Sequence, residues 1–163
     1  MNDELIFPDL ILLEEFGGNF NLYFTIAYEI FENSFINSQP IYNGLRVFAQ
    51  KLPEVDGIHR TFYHITHKGE IENERKPDFR RMERIRFPKF CIDNYSHKDF
   101  LIWDKIVGRD NRIHILNEAE RYLIVLTERK GYYLFWTAFY IENNHTIRKK
   151  KKDYETYIKT KTA

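Results

Sequence analysis

Three histidines lie within nine residues, at His59, His64 and His67, and a cluster of arginines follows them. The cluster consists of Arg80, Arg81, Arg84 and Arg86. Cleavage of an RNA backbone needs a base for the ribose 2'-hydroxyl, an acid for the departing 5' oxygen, and cations for the charge on the phosphate. Histidine can supply the first two groups near neutral pH, and arginine binds phosphate oxygens. The stretch around His64 therefore predicts phosphate binding with acid–base chemistry.

Each of these residues also has a purely structural interpretation. A single histidine is more often packed or solvated than catalytic, and the arginines alternate with other residues as on a solvated face paired with Asp78 and Glu83. For the whole cluster beside His64, phosphate binding and the structural interpretation are about equally favoured, because arginine forks match phosphate oxygens. If the cluster binds RNA, His67 and Arg81 are expected to contact it.

The histidine spacing also raises the question of a metal. His64 and His67 would project to opposite faces of a strand, and the sequence contains no HExxH or Cys/His motif. We therefore expect neither a metal site nor a cofactor.

Later parts of the chain offer further candidates, each open to two interpretations. Thr137 is the only polar side chain between Tyr132 and Tyr140 apart from the tyrosine hydroxyls, so in a buried strand it needs a partner in the sheet or in a substrate. Lys130 is expected at a hairpin tip, where it is either solvated or in contact with a phosphate. The basic run 149–152 is typical of a solvated helix face and could also attract nucleic acid.

The elements that must position these residues belong to one packed domain. The chain has 163 residues, of which 43% are hydrophobic and 17% aromatic, which excludes a disordered protein. The only cysteine, Cys91, has no partner for a disulfide and is expected to be a buried thiol. The sequence has neither the basic start and apolar run of a signal peptide nor a stretch long enough to span a membrane. We therefore expect a cytoplasmic protein without a membrane partner.

Charge is strongly polarised along the chain. Residues 1–50 carry one arginine and seven acidic residues, whereas residues 148–163 carry seven basic and two acidic ones. Nine lysines or arginines and five acidic residues lie between His59 and Lys89. Positive potential is therefore concentrated away from the N-terminal third, which fits an anionic partner.

The first half of the chain predicts helices, one strand and a long connection. Asn19 suits a helix cap, and apolar residues at helical spacing predict a helix over 20–36. A second short helix over 45–52 would end at Pro53. The run 61–66 is rich in β-branched and aromatic residues and predicts a strand that carries His64. Residues 70–94 follow as a connection with one helical turn near Arg80.

The second half predicts mostly strands. Phe100, Trp103 and Val107 at helical spacing, with Gly108 as a stop, predict a helix over 97–107. Strand-like runs follow at 112–116, 122–127 and 132–141, and the basic tail has the spacing of a terminal helix.

Together these elements predict a single α+β domain over residues 1–163, in which N-terminal helices pack on a small antiparallel sheet of about four strands and a C-terminal helix follows. Its parts are a helical front over 1–57, a strand and sheet region over 58–145, and a basic tail helix over 146–163.

Four segments resemble a phage-associated nuclease family of the barnase, EndoU, colicin and RelE-like superfamily. They are Thr61–Ile65, Arg75–Ile85, Tyr122–Arg129 and Leu134–Phe139. The resemblance runs from about Gly18 to the tail. Phe87 stands where the family pattern leads us to expect tryptophan, and Phe139-Tyr140 where it leads us to expect tyrosine first.

The resemblance implies an RNA-cleaving hydrolase with no metal requirement, and a toxin or phage-conflict role with a protein inhibitor or antitoxin as partner. It carries the catalytic set onto His64, Arg80, Arg84 and Thr137. Lys130 and Tyr140 are further RNA-binding candidates. The resulting hypothesis is a ribonuclease that forms a 2',3'-cyclic phosphate, with His64 as general acid or base, the two arginines on the phosphate and the threonine orienting it.

Two other classes of function remain open from the sequence. A non-catalytic module could hold RNA or a partner protein on the same basic surface. A purely structural protein could associate head to tail through its acidic front and basic rear.

Overall fold

The computed structural model describes residues 3–162, so residues 1, 2 and 163, at the ends of the expected domain, lie outside it. Within the described range, helices α1 to α5 cover Phe20–Phe35, Arg60–Thr66, Phe79–Met82, Phe87–Asp93 and Asn144–Thr162. Strands β1 to β8 cover Ile41–Tyr42, Leu45–Phe48, His67–Lys68, Lys76–Pro77, Phe100–Val107, Asp110–Asn117, Tyr122–Arg129 and Tyr132–Tyr140.

The main sheet has six strands in the order β1-β2-β8-β7-β6-β5. Strands β2 and β8 run parallel, and every other neighbouring pair in this sheet is antiparallel. Strands β3 and β4 form a separate two-stranded ribbon. The α+β class is therefore confirmed, but the expected sheet of four antiparallel strands is wrong, because β1, β2 and β5 lie in segments whose patterns do not predict strands.

Helix α1 forms as its sequence predicts. The side chain of Asn19 accepts a hydrogen bond from the backbone N–H of Leu22 at 3.1 Å, which caps the first turn. Tyr23, Ala27 and Phe31 recur every four residues and are all buried.

The segment that carries His64 is a helix, α2, and not the predicted strand. Phe62 is fully buried against the rings of Phe24 and Phe31 from α1, and Thr66 donates to the carbonyl of Phe62 at 2.7 Å one turn back. Burial against α1 therefore overrides the strand preference of this β-branched and aromatic run.

Two predicted helices are strands. Residues 45–48 form β2, which pairs with β1 and with β8, so the short helix over 45–52 is wrong. The helix predicted over 97–107 is also wrong, because β5 pairs with β6 over eight residues. Gly108, whose φ is +63°, lies in the turn of this hairpin. A glycine with positive φ is common both in hairpin turns and after the last residue of a helix, so the same residue also fits the predicted end of a helix.

The predicted meander of strands near the C-terminus is confirmed as β6, β7 and β8. The register between β7 and β8 shifts between Val125 and Leu126, so Trp136 is an extra residue on β8. This bulge interrupts the alternation of side chains between the two faces of β8 at Trp136, where β8 passes α2.

The sheet separates two apolar clusters. One face packs with the helices that precede β5, for example through Phe35 of α1 against Phe135 of β8, whose ring centroids lie 4.7 Å apart. The other face carries a smaller cluster around Trp103 that includes Ile147 of α5. The predicted terminal helix is therefore confirmed as α5, and Ile147 is its buried residue. Cys91 is buried as expected, and burial raises the pKa of its thiol.

Candidate functional site

His64 projects from α2 toward the connection that follows it. Its Nδ1 lies 2.9 Å from Oε1 of Glu72, a residue in a short 3-10 turn. The imidazole side chain is 26% exposed, so it is largely enclosed but still reaches solvent. In the described part of the chain, no hydrogen bond engages its Nε2. The geometry therefore fixes one ring nitrogen and leaves the other for chemistry.

Glu72 is the centre of a small ion-pair network. Its Oε2 lies 3.2 Å from Nη2 of Arg75, and its Oε1 lies 3.7 Å from Nη1 of Arg60. Arg60 is itself held, because its Nε donates to the carbonyl of Pro53 at 2.9 Å and its Nη1 to the side chain of Asn73 at 3.1 Å. Both guanidinium groups are mostly covered.

Nδ1 of His64 has two polar neighbours. Oε1 of Glu72 lies at 2.9 Å and Nη1 of Arg75 at 3.2 Å, so Nδ1 either donates its proton to the carboxylate or, when unprotonated, accepts one from the guanidinium. The closer, oppositely charged carboxylate accepts from Nδ1–H, since Arg75 already pairs with Glu72 and donates to the carbonyl of His64 at 3.3 Å. Nε2 is therefore the unprotonated nitrogen of the neutral ring.

The electrostatics of this pair favour a neutral histidine beside an ionised glutamate. Burial lowers the pKa of His64, and the charges of Arg75 and Arg81 add to this, while Glu72 opposes it. Burial works against ionisation of Glu72, but the hydrogen bond to His64 and the charges of Arg75 and Arg60 outweigh it and lower the pKa of Glu72. Neutral His64 can act as a base near pH 7.

These groups line a cleft of about 220 Å³. Its walls are formed by Gln50, Arg60, Thr61, His64, Glu72 and Trp136. The guanidinium of Arg112 stacks 4.5 Å from the centre of the Trp136 ring. The cleft thus combines an imidazole, a guanidinium and an aromatic surface, which are the groups that bind and cleave a nucleotide backbone.

The structure gives His67 and Arg81 internal partners. His67 is buried, its ring stacks on Tyr63, and its Nδ1 lies 2.9 Å from Oγ1 of Thr66. Arg81 donates from Nη1 to the carbonyls of His64 at 3.3 Å and His67 at 3.1 Å, which ties α3 to the end of α2. Both residues therefore hold the end of α2 in place, and neither of them lines the His64 cleft.

Arg80 and Arg84 lie around Tyr140, away from the His64 cleft. The guanidinium of Arg84 sits 4.3 Å over the Tyr140 ring and donates to the carbonyl of Arg80 at 2.8 Å. Arg80 lines a second cleft of about 220 Å³ together with Lys68 and Tyr140. Arg80 lies 3.8 Å from Glu142, and neither Arg80 nor Arg84 lines the His64 cleft.

Thr137 and Lys130 are also outside the His64 cleft. Thr137 is opposite Val125 in the register, which places it on the face of the Trp103 cluster. Lys130 is exposed in the turn between β7 and β8, at the predicted hairpin tip. Of the eight residues predicted for the site, only His64 lines this cleft.

Sequence reasoning missed Arg60, Glu72 and Trp136, which line the cleft, and Arg75, which pairs with Glu72 beside it. Glu72 and Arg75 look like any charged residues of a surface connection, so no signal marked them. Trp136 carried no signal either, because aromatic and aliphatic residues fill both alternating rows of this strand, so no single side chain stands out as exposed.

Within residues 3–162, no group of three or more histidine, cysteine, aspartate or glutamate side chains is arranged to hold a metal ion. None of the helices in this range is long and apolar enough to cross a membrane. No family model matches the chain, and comparisons with curated proteins and with solved structures find no significant similarity.

Proposed function

We propose that this protein is a metal-independent endoribonuclease that cleaves RNA by attack of the ribose 2'-hydroxyl, with His64 as the proton-transfer group. One observation carries the proposal. The ring of His64 is fixed through Nδ1 by Glu72 at 2.9 Å, its Nε2 has no hydrogen-bond partner in the described residues, and the residue lines a cleft together with Arg60 and Trp136. Imidazole and guanidinium groups suffice for this reaction.

In the proposed step, Nε2 of His64 takes the proton of the 2'-hydroxyl as its oxygen bonds to phosphorus. The bond from phosphorus to the 5' oxygen breaks, the leaving oxygen takes a proton from water, and the hydroxide that remains takes up the proton that His64 releases, which restores the neutral ring. The products are a 2',3'-cyclic phosphate and a 5'-hydroxyl. Glu72 stabilises the imidazolium that forms, because its carboxylate accepts from Nδ1–H.

Arg60 takes the phosphate-binding role in this proposal. Its Nε and Nη1 are held by protein acceptors, and Nη2 has no hydrogen-bond partner in the described range. A guanidinium fixed in this way stabilises charge on a phosphate without losing much conformational freedom. The roles expected for Arg80, Arg84 and Thr137 are therefore not part of the mechanism.

The test is to incubate the purified protein with RNA in EDTA, beside a His64→Ala variant. We expect cleavage to 2',3'-cyclic phosphate ends by the wild type and a loss of about 100-fold or more in the variant. No cleavage, or equal cleavage by both proteins, contradicts the proposal. Saturable RNA binding without product would instead favour a non-catalytic binding module. A toxin or phage-conflict role with an antitoxin partner stays a prediction of the sequence resemblance.

A further inference from the structure

Helix α5 covers only part of its face of the sheet. The apolar cluster beneath α5 includes Trp103, Leu116 and Leu123, all of them buried. Elsewhere on β2 and β8, three large aromatic side chains remain open to solvent: Phe48, Tyr132 and Trp136, each of them 37% exposed.

These three aromatic residues share the face that α5 partly covers. Their strand neighbours Val47 and Tyr133 are buried in the cluster of the opposite face, so Phe48 and Tyr132 point away from it. The rings of Phe48 and Tyr132 meet edge to face with centroids 5.7 Å apart. We call Phe48, Tyr132 and Trp136 the open aromatic face.

Arg112 places Trp136 on the same face. In the register of the sheet, Arg112 is opposite Thr127, and Thr127 is opposite Leu134, so the three side chains form one row across the strands. Leu134 alternates with Tyr133 and therefore lies on the side of Tyr132. Trp136 is the extra residue of the bulge and has no partner in the register, but its ring lies 4.5 Å from the Arg112 guanidinium and therefore lies on the same face.

Positive charge accompanies the open aromatic face. Arg46 alternates with Val47 and so shares the side of Phe48, and it has no ion-pair partner in the described part of the chain. Arg112 lies 4.0 Å from Asp110, at the outer limit of an ion pair, and Asp110 is shared with Arg129 at 3.1 Å. Lys130 is exposed at the adjoining hairpin tip.

The open aromatic face continues into the proposed active site. Trp136 lines the cleft of His64 and Arg60 on one side and stacks with Arg112 on the other. A chain molecule lying across the aromatic rings would therefore meet, at Trp136, the cleft that His64 lines.

We propose that the open aromatic face binds single-stranded RNA, with bases stacked on Phe48, Tyr132 and Trp136 and phosphates near Arg46 and Arg112. Exposed aromatic rings interleaved with arginines bind single strands because unpaired bases offer free π-faces, whereas a duplex hides them. This inference rests on the proposed function for its substrate, and it adds that the substrate is unpaired where it is bound.

Binding is measured in the His64→Ala background, which prevents cleavage, by fluorescence anisotropy of a labelled 12-nucleotide RNA without self-complementarity. We expect Trp136→Leu and Phe48→Leu each to weaken binding about tenfold, as the loss of one stacked base does. Phe79→Leu is the matched control, because Phe79 is an exposed aromatic residue of α3 outside the open aromatic face. The same sequence as a duplex should bind more weakly than the single strand.

Tryptophan emission gives a second readout. Trp103 is 1% exposed, so quenching by added RNA must come from Trp136. We expect the single strand to quench the protein with native Trp136 and to leave Trp136→Leu unquenched.

The outcomes separate this inference from the proposed function. If the wild type cleaves RNA while both leucine variants bind as tightly as the control, the open aromatic face is not the binding surface and the nuclease proposal stands. If binding depends on Phe48 and Trp136 but no cleavage occurs, the inference stands and the nuclease proposal fails. Tighter binding of the duplex overturns the inference.

Discussion

His64 and Glu72 form a hydrogen bond of 2.9 Å between α2 and the connection that follows it. The bond orients the ring of His64 and at the same time anchors a segment that has no long helix or strand of its own. Both oxygens of Glu72 also contact guanidinium groups, so the carboxylate stays ionised. The pair therefore couples the position of a proton-transfer group to the folding of one connection.

The first prediction concerns the pH dependence of RNA cleavage. The pKa of His64 is lowered by burial, so the neutral base is already populated below pH 6.5, and cleavage should rise with pH to a plateau reached near neutrality. Glu72→Gln keeps a hydrogen-bond acceptor but removes the charge that raises the pKa of His64. Its rising limb should therefore move to lower pH, with a lower plateau.

Rates of RNA cleavage across pH 4 to 8, measured with saturating RNA, test this shift. Asp93→Gln is a suitable control, because Asp93 pairs with Lys89 on α4, remote from the cleft. If the rising limb moves to higher pH in Glu72→Gln, then the Glu72 carboxylate does not raise the pKa of the catalytic base, and the assignment of His64 as that base is contradicted.

The second prediction separates the two arginine groups. Arg60→Gln should reduce the rate of RNA cleavage about 100-fold, because it removes a fixed cation from the proposed phosphate site. Arg80→Gln should change the rate by less than about threefold, since Arg80 is in the second cleft, near Glu142. Single-turnover cleavage rates, with circular dichroism to verify folding, decide between them. A larger effect of Arg80→Gln would restore the arginine assignment made from the sequence.

The third prediction is structural and concerns Arg81. Its Nη1 donates to the carbonyls of both His64 and His67, and a lysine ammonium on a flexible stem loses more conformational freedom in making the same bonds than the planar guanidinium does. Arg81→Lys should lower the free energy of unfolding by about 1–3 kcal/mol, as measured by urea denaturation. Arg86→Lys, at an exposed position, should leave it nearly unchanged. Equal stability of Arg81→Lys and the wild type would show that these bonds contribute little.

The sequence predicts those parts of the fold in which local signals and tertiary packing agree. Helix α1 has both a cap at Asn19 and a buried stripe, and the hairpin of β7 and β8 has Gly131 in the turn at a φ of +86°. For α2 the two disagree. Phe62 and Ile65 are buried while His64 between them is not, and this contact pattern arises from α1 and β8, which are distant in sequence.

The candidate site is predictable only at His64. The three arginines nearest to it in the prediction lie on or just after α3, where Arg81 turns back to α2 and Arg84 turns to Tyr140. Proximity along the chain therefore does not show which arginine side chains reach the cleft. Glu72 reaches His64 only because a 3-10 turn folds the connection back onto α2, and single-sequence patterns carry no information about such a contact.

The fourth prediction concerns His114, which is buried between the sheet and α5. Its ring stacks on Trp103 with centroids 5.0 Å apart, and its Nδ1 has no hydrogen-bond partner in the described residues. Burial lowers the pKa of His114 to about 4. Lys150 and Lys105 add to this effect, and Asp153 opposes it.

The sign of the pH effect on stability follows from this lowered pKa. In the unfolded chain a histidine takes up its proton near pH 6.5, whereas the folded protein resists protonation of His114 down to about pH 4. The stability that depends on neutral His114 is therefore complete above pH 6.5 and is lost as the pH falls toward 4. At about 1.4 kcal/mol per pKa unit, the loss is on the order of 3 kcal/mol.

His114→Phe keeps an aromatic ring against Trp103 and removes the titration. Its free energy of unfolding, relative to the wild type, should therefore increase by on the order of 3 kcal/mol between pH 7.5 and pH 4, as measured by urea denaturation. His145→Gln, at an exposed position near the start of α5, should show no such pH-dependent difference. Other groups that titrate in this range cancel in the comparison, because each variant is measured against the wild type at the same pH. A constant difference between His114→Phe and the wild type would mean that His114 accepts a proton in the folded protein as readily as in the unfolded chain.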